Sequence, residues 1–92
     1  MDLSTESLRK RLMFRARHMG TAENDLIFGR FAEAHLAGFD RAELAQFETL
    51  LGAADPDLTA WATGARAVPP ELDHDVMRAL QAFVRNGQAG IR

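Results

Sequence analysis

Ninety-two residues carry 11 Lys and Arg against 13 Asp and Glu, for a net charge of −2, with 47% hydrophobic residues, 26% charged residues and no cysteine. That is enough chain for one small globular domain, and it excludes a disordered polymer, a disulfide scaffold and a thiolate metal site. No apolar run approaches the roughly 20 residues of a membrane span, and the opening Met-Asp-Leu-Ser-Thr-Glu-Ser, acidic and without an apolar stretch, is unlike a signal or transit peptide.

Five helices and no strand follow from the periodicity. Ser4 or Thr5 can cap the first helix, with Glu6 in its opening turn. Leu8, Leu12 and Ala16, four apart, form its inward stripe, which Met13 and Phe14 widen. Its second half holds Arg9, Lys10, Arg11, Arg15 and Arg17 with no acid among them, whereas eight of the 13 acids lie between Asp40 and Asp75. Gly20 then ends the helix as the first residue beyond its cap, and Thr21 caps the next, with Glu23 and Asp25 in a first turn that favours carboxylates. The second helix, about Ala22 to Ala37, carries Leu26, Ile27, Phe28, Phe31, Ala34 and His35. Apolar side chains cover more than half of it, so it is the expected central element. Gly29, inside it, implies a close approach of another helix.

Gly38 is a candidate C-cap, and Asp40-Arg-Ala-Glu43 is a capping-box pattern for a third helix bearing Leu44, Phe47, Leu50 and Leu51. Asp55 as cap and Pro56 at the first helical position start a short fourth helix holding Trp61 and ending near Gly64. Pro69-Pro70 closes a linker and begins the fifth, where Leu72, Val76, Leu80 and Phe83 form a stripe that Asn86-Gly87 stops. The expectation is a compact all-α five-helix bundle, one domain over 1–92, with a core at about 5–86 and a mobile 87–92 tail.

Candidate chemistry is sparse. His18, His35 and His74 fall in different helices at no metal-ligand spacing, and His35 reads as a partly buried helix residue. Asp73-His74-Asp75 cannot converge, because adjacent helical residues point apart. The serines, Ser4 and Ser7, sit near a fraying end, and no strand precedes Gly20 or Gly29 to make a phosphate loop. A helix-turn-helix reading would make Arg41 to Leu51 the recognition helix, but Glu43 and Glu48 against one arginine give it the wrong sign for phosphate. Neither an active site nor a nucleic-acid interface is expected, and a basic first helix is either a solvated face or one aimed at an acidic protein partner.

Three segments resemble a known family. Phe14-Arg-Ala-Arg-His-Met-Gly-Thr-Ala-Glu-Asn-Asp-Leu, then Gly29-Arg-Phe-Ala, then Leu50-Leu-Gly-Ala-Ala-Asp-Pro-Asp-Leu-Thr-Ala-Trp61, are similar to the flavinylation factors of succinate dehydrogenase. These are the SdhE-type proteins, called succinate dehydrogenase assembly factor 2 in mitochondria, and some bacterial members carry an antitoxin label. The resemblance runs from about Leu8 to Phe83 and looks most like the alphaproteobacterial branch. It implies a five-helix bundle in the bacterial cytoplasm, monomeric and not itself an enzyme. Such a factor binds the flavoprotein subunit of succinate dehydrogenase, or of fumarate reductase, and promotes covalent attachment of FAD. It holds no cofactor tightly, since the FAD belongs to the client.

The family motif is Arg-Gly-x-x-Glu at the first corner. Gly20 and Glu23 match it, while Met19 stands where the arginine belongs and Ala22 replaces an often basic residue. The implied partner-binding residues are therefore Met19, Gly20 and Glu23, with Arg11, Arg15 and Arg17 steering an acidic client. An arginine offers a rigid fork of donors that methionine lacks, so several readings of Met19 stand open. It can be an altered apolar contact, a mark of weakened activity, a loss made good by Arg17, or a side chain that only covers the core. A generic helical adaptor or antitoxin-like regulator is the alternative function.

Overall fold

The computed structural model describes residues 4–87, and among these five α-helices and two 3-10 turns form without a strand. Side-chain caps start four of the helices. Ser4 accepts from the Ser7 N–H at 3.0 Å and opens α1, Thr5–Arg17. Thr21 accepts from the Asn24 N–H and opens α2, Ala22–His35. Asp40 and Glu43 close both halves of the capping box at α3, Arg41–Leu51. At α5, Asp75–Arg85, the cap is the His74 imidazole, whose Nδ1 accepts from the Met77 N–H at 3.1 Å.

The boundaries that differ from expectation have identifiable causes. α2 stops at His35 and tightens into a 3-10 turn, Leu36–Gly38, instead of running to Ala37. Gly38 does not take up a left-handed conformation there. Carbonyls at this end are satisfied from outside: Arg9 of α1 donates to the Leu36 carbonyl at 3.2 Å and to the Phe39 carbonyl at 2.8 Å. A helix end so supplied needs no glycine cap. α4, Asp55–Thr63, has Ala54 rather than Asp55 as its cap residue, and Gly64 ends it at φ +81°. Pro70 begins a 3-10 turn, Pro70–Leu72, and not α5. The break persists because Arg78, in the first turn of α5, reaches back to both the carboxylate and the carbonyl of Asp73. Gly87, at φ +75°, follows the Asn86 cap of α5; the rest of the expected mobile tail, 88–92, lies outside the described residues.

α1 packs on α2 and α3, while α5 closes the bundle against α3 and α4. Phe31 of α2 stands at the centre, fully buried. Its ring meets Phe47 of α3 at 5.8 Å, Phe83 of α5 edge-on at 5.5 Å and Phe39 at 6.0 Å. Such tilted and edge-on pairs each add about 0.5–1.5 kcal/mol beyond the area they bury. The stripes expected from spacing face inward at Leu8, Leu12, Ala16, Leu44, Phe47, Val76 and Leu80. Leu72 packs against this core from the 3-10 turn. Two side chains assigned inward point to solvent instead: Ala34, and Phe14, which is 63% exposed. No helix among the described residues is long and apolar enough to cross a membrane.

Gly29 does mark a close approach, though not an exclusive one. A Cβ built there would lie 3.4 Å from Arg17 Cγ and 3.9 Å from the Ala16 carbonyl, ordinary contact distances. Gly29→Ala should therefore recover helix propensity without a clash and raise stability by about 0.5–1 kcal/mol. The check is a higher urea midpoint at unchanged m-value; a lower midpoint would mean α1 packs too tightly on α2 to admit a methyl group.

Candidate functional site: the corner between α1 and α2

The turn from α1 to α2 spans residues 18–21 and is held from three sides. α1 ends at Arg17 with His18 as its cap, so Gly20 lies two residues beyond the cap position and not immediately after it. The early end has a cause in the Asp25 carboxylate, on the first turn of α2. It accepts the backbone N–H of Met19 and, at 3.3 Å, that of Gly20, drawing both away from the helix. Gly20 then turns with φ +117°, a conformation that disfavours any residue with a Cβ. A Cβ there would also meet the Asp55 carboxylate at 3.2 Å. Asn24, wholly buried, ties the corner to α4: its Nδ2 donates to the Asp55 carbonyl at 3.0 Å, and its Oδ1 accepts from the Thr59 hydroxyl at 2.6 Å.

On this frame Met19 is half-buried and packs against the core, while Gly20, Thr21, Ala22 and Glu23 are exposed. The Glu23 side chain makes no hydrogen bond or ion pair among the described residues, so its carboxylate stands in solvent over a fixed backbone. The arginines grouped with it by sequence lie elsewhere and are engaged. Arg11 and Arg15 both reach Glu48 of α3, at 2.6 and 3.9 Å, and Arg17 pairs with Glu33 of α2 at 2.9 Å. These ion pairs are well exposed, each worth at most about 1 kcal/mol. They nevertheless cancel part of the positive field of α1, and they separate Arg11 and Arg15, on the flank toward α3, from Arg17 on the flank toward α2.

Asn24 and Asp25 read in the sequence as ordinary first-turn residues, and only the fold makes them the strap and the clamp of the corner. Phe14 could have been placed outside from the wheel alone. At 100° per residue it sits about 200° from Leu12.

The histidines do not meet. His18 lies at the corner; His35 is half-buried and stacked on Phe31 at 4.7 Å; His74 caps α5 with its Nε2 buried and unpartnered among the described residues. No group of three or more His, Asp or Glu side chains among the described residues is arranged to hold a metal ion. α3, the candidate recognition helix, spends Glu43 on its own cap and Glu48 on the α1 arginines.

The model of a protein family described as flavinator of succinate dehydrogenase matches residues 10–84. Succinate dehydrogenase assembly factor 2-A, mitochondrial, of Drosophila mojavensis is 38% identical over 87 residues, covering 92% of this chain and 55% of that protein. Assembly factor 2-B, mitochondrial, of Drosophila persimilis is 36% identical over 87 residues, with the same two coverages, 92% and 55%. Assembly factor 2, mitochondrial, of Drosophila grimshawi is 36% identical over 80 residues, covering 85% of this chain and 54% of that protein. The chain spans about half the length of the relatives it matches.

The geometry makes Asp25 the residue on which the corner's shape depends. Asp25→Ala leaves two backbone donors without their acceptor and should cost about 1–3 kcal/mol, most of it recovered in Asp25→Asn. Amide exchange should quicken at Met19 and Gly20 in the alanine variant. Unchanged exchange there would show that the turn holds its shape without the carboxylate.

Proposed function

The chain belongs to the family of flavinators of succinate dehydrogenase, and from that premise we propose that it binds the flavoprotein subunit of this enzyme and promotes covalent attachment of FAD. The observation that carries the reading is Glu23, the matching glutamate of the family motif. It is exposed, unpaired among the described residues, and mounted on a turn whose backbone is clamped by Asp25 and strapped by Asn24. The family match favours this over the adaptor or antitoxin-like alternative.

The mechanism proposed is templating. Attachment needs the client's histidine, the flavin C8-methyl group and stabilising charges held in a near-attack arrangement. A rigid bundle docked beside the flavin site can favour the client conformation in which that arrangement is met. Glu23 makes the polar contact, and exposed Gly20 lets the client backbone come close. Met19, half-buried on the core, offers the client its remaining apolar surface. Arg11, Arg15 and Arg17 contribute a residual positive field that steers an acidic client. The factor acts as a monomeric helper without chemistry of its own, and the FAD stays with the client, which includes the fumarate reductase flavoprotein where one is made. The compartment proposed is the bacterial cytoplasm. Absence of cysteine suits its reducing conditions, while the relatives are mitochondrial by name.

Co-expression with the flavoprotein subunit should raise covalent flavin fluorescence on a denaturing gel above that of a strain lacking the factor; equal fluorescence would sink the proposal. Glu23→Ala should weaken client binding by about 1–3 kcal/mol while the melting temperature moves by only a few degrees. A large thermal loss with binding retained would reduce Glu23 to a helix-dipole role. Met19→Arg should tighten client binding about tenfold through charge-assisted hydrogen bonds; no gain would leave Met19 a cover for the core.

A further inference from the structure

Phe14 is the single large hydrophobic side chain exposed among the described residues. A lone apolar residue on a surface is ordinary, but this one is held in place. The His18 ring stacks on it with centroids 4.1 Å apart and planes 22° from parallel. His18 is itself anchored, its Nδ1 lying 2.7 Å from the Phe14 carbonyl. A carbonyl oxygen only accepts, so Nδ1 carries the proton and Nε2 faces away from this bond. The two rings therefore form one preoriented aromatic surface, which lowers the ordering cost that a free side chain incurs on binding.

The charged side chains that α1 itself places around Phe14 are all basic. Lys10 and Phe14 are four residues apart, as are Phe14 and His18, so the three share a helical face. Arg11 and Arg15 flank that face with Glu48, and Arg17 lies beyond with Glu33. Among these side chains of α1 and their partners, four cations stand against two carboxylates, so the helix face that carries the ring is net positive. An aromatic anchor on a net-positive helix face fits an apolar pocket with a carboxylate rim.

Resting on the function proposed above, we propose that Phe14, held by His18, is a docking anchor that enters an acid-rimmed apolar pocket on the flavoprotein client. Binding is then divided between the corner, which presents Glu23, and an aromatic contact one helical turn earlier in the chain.

Titration of purified flavoprotein subunit, loaded with non-covalent FAD, against five forms of the chain tests this: wild type, Phe14→Ala, Phe14→Tyr, Lys10→Glu and Glu23→Ala. Phe14→Ala should raise Kd at least tenfold with the melting temperature within a few degrees, since the ring is outside the core. Phe14→Tyr, which keeps the stacked face, should restore most of the affinity. Lys10→Glu should raise Kd several-fold, by an amount that shrinks as salt is added. Wild-type affinity in Phe14→Ala, with Glu23→Ala still weakened, overturns the anchor and leaves the proposed function standing. Failure of the wild-type chain to bind the subunit overturns both. Self-association that disappears in Phe14→Ala, with client affinity unchanged, assigns the ring to a second copy and overturns the anchor.

Discussion

The Asn24 side chain is wholly excluded from solvent, and a buried amide must have its donors and acceptor satisfied or cost the protein a large part of a small stability. It finds partners in the Asp55 carbonyl and the Thr59 hydroxyl, both on the first turns of α4. Those bonds dictate how the start of α2 sits against the start of α4. They thereby bring the Asp55 carboxylate up to Gly20, leaving the glycine as the residue that fits. Asp25 adds the clamp from the other side. The corner is thus a rigid feature made of polar contacts, at the edge of a core that is otherwise aromatic and aliphatic.

Rigidity of this kind suits the templating role proposed for the chain. A flexible turn would spend binding energy on its own ordering, whereas one already held by side-chain hydrogen bonds can spend it on the client. The charges around it divide accordingly. Arg9 serves the end of α2, Arg11 and Arg15 serve α3, and Arg17 serves α2, so most of the basic character of α1 is used in joining the bundle. Glu23 is the charged group of the family motif left unspent. Met19 replaces the motif's guanidinium with a side chain half-committed to the core, so the corner combines one solvated carboxylate with an apolar neighbour.

Much of this architecture is legible in the chain. Caps at Ser4, Thr21 and the Asp40–Glu43 box are local chemistry, settled within four residues, and each forms as the spacing indicates. The four-residue stripes of α1 and α5 follow from periodicity, because a helix packed on a core has a face to hide, and the burial of Phe31 follows from the apolar density of α2. The family motif, too, is a matter of linear spacing, and it is matched at Gly20 and Glu23.

Tertiary structure decided what depends on residues far apart. Nothing near Gly38 announces that Arg9, about thirty positions earlier, supplies the donors that end α2. Nor does the run Arg11 to Arg17 reveal that Glu48 and Glu33 lie waiting across two helix interfaces. Local sequence states which groups need partners; which partner each receives is a question of packing, answered only when helices distant in the chain are laid side by side. Asn24 and Asp25 acquired their parts in the same way, the first by meeting α4 and the second by meeting the corner.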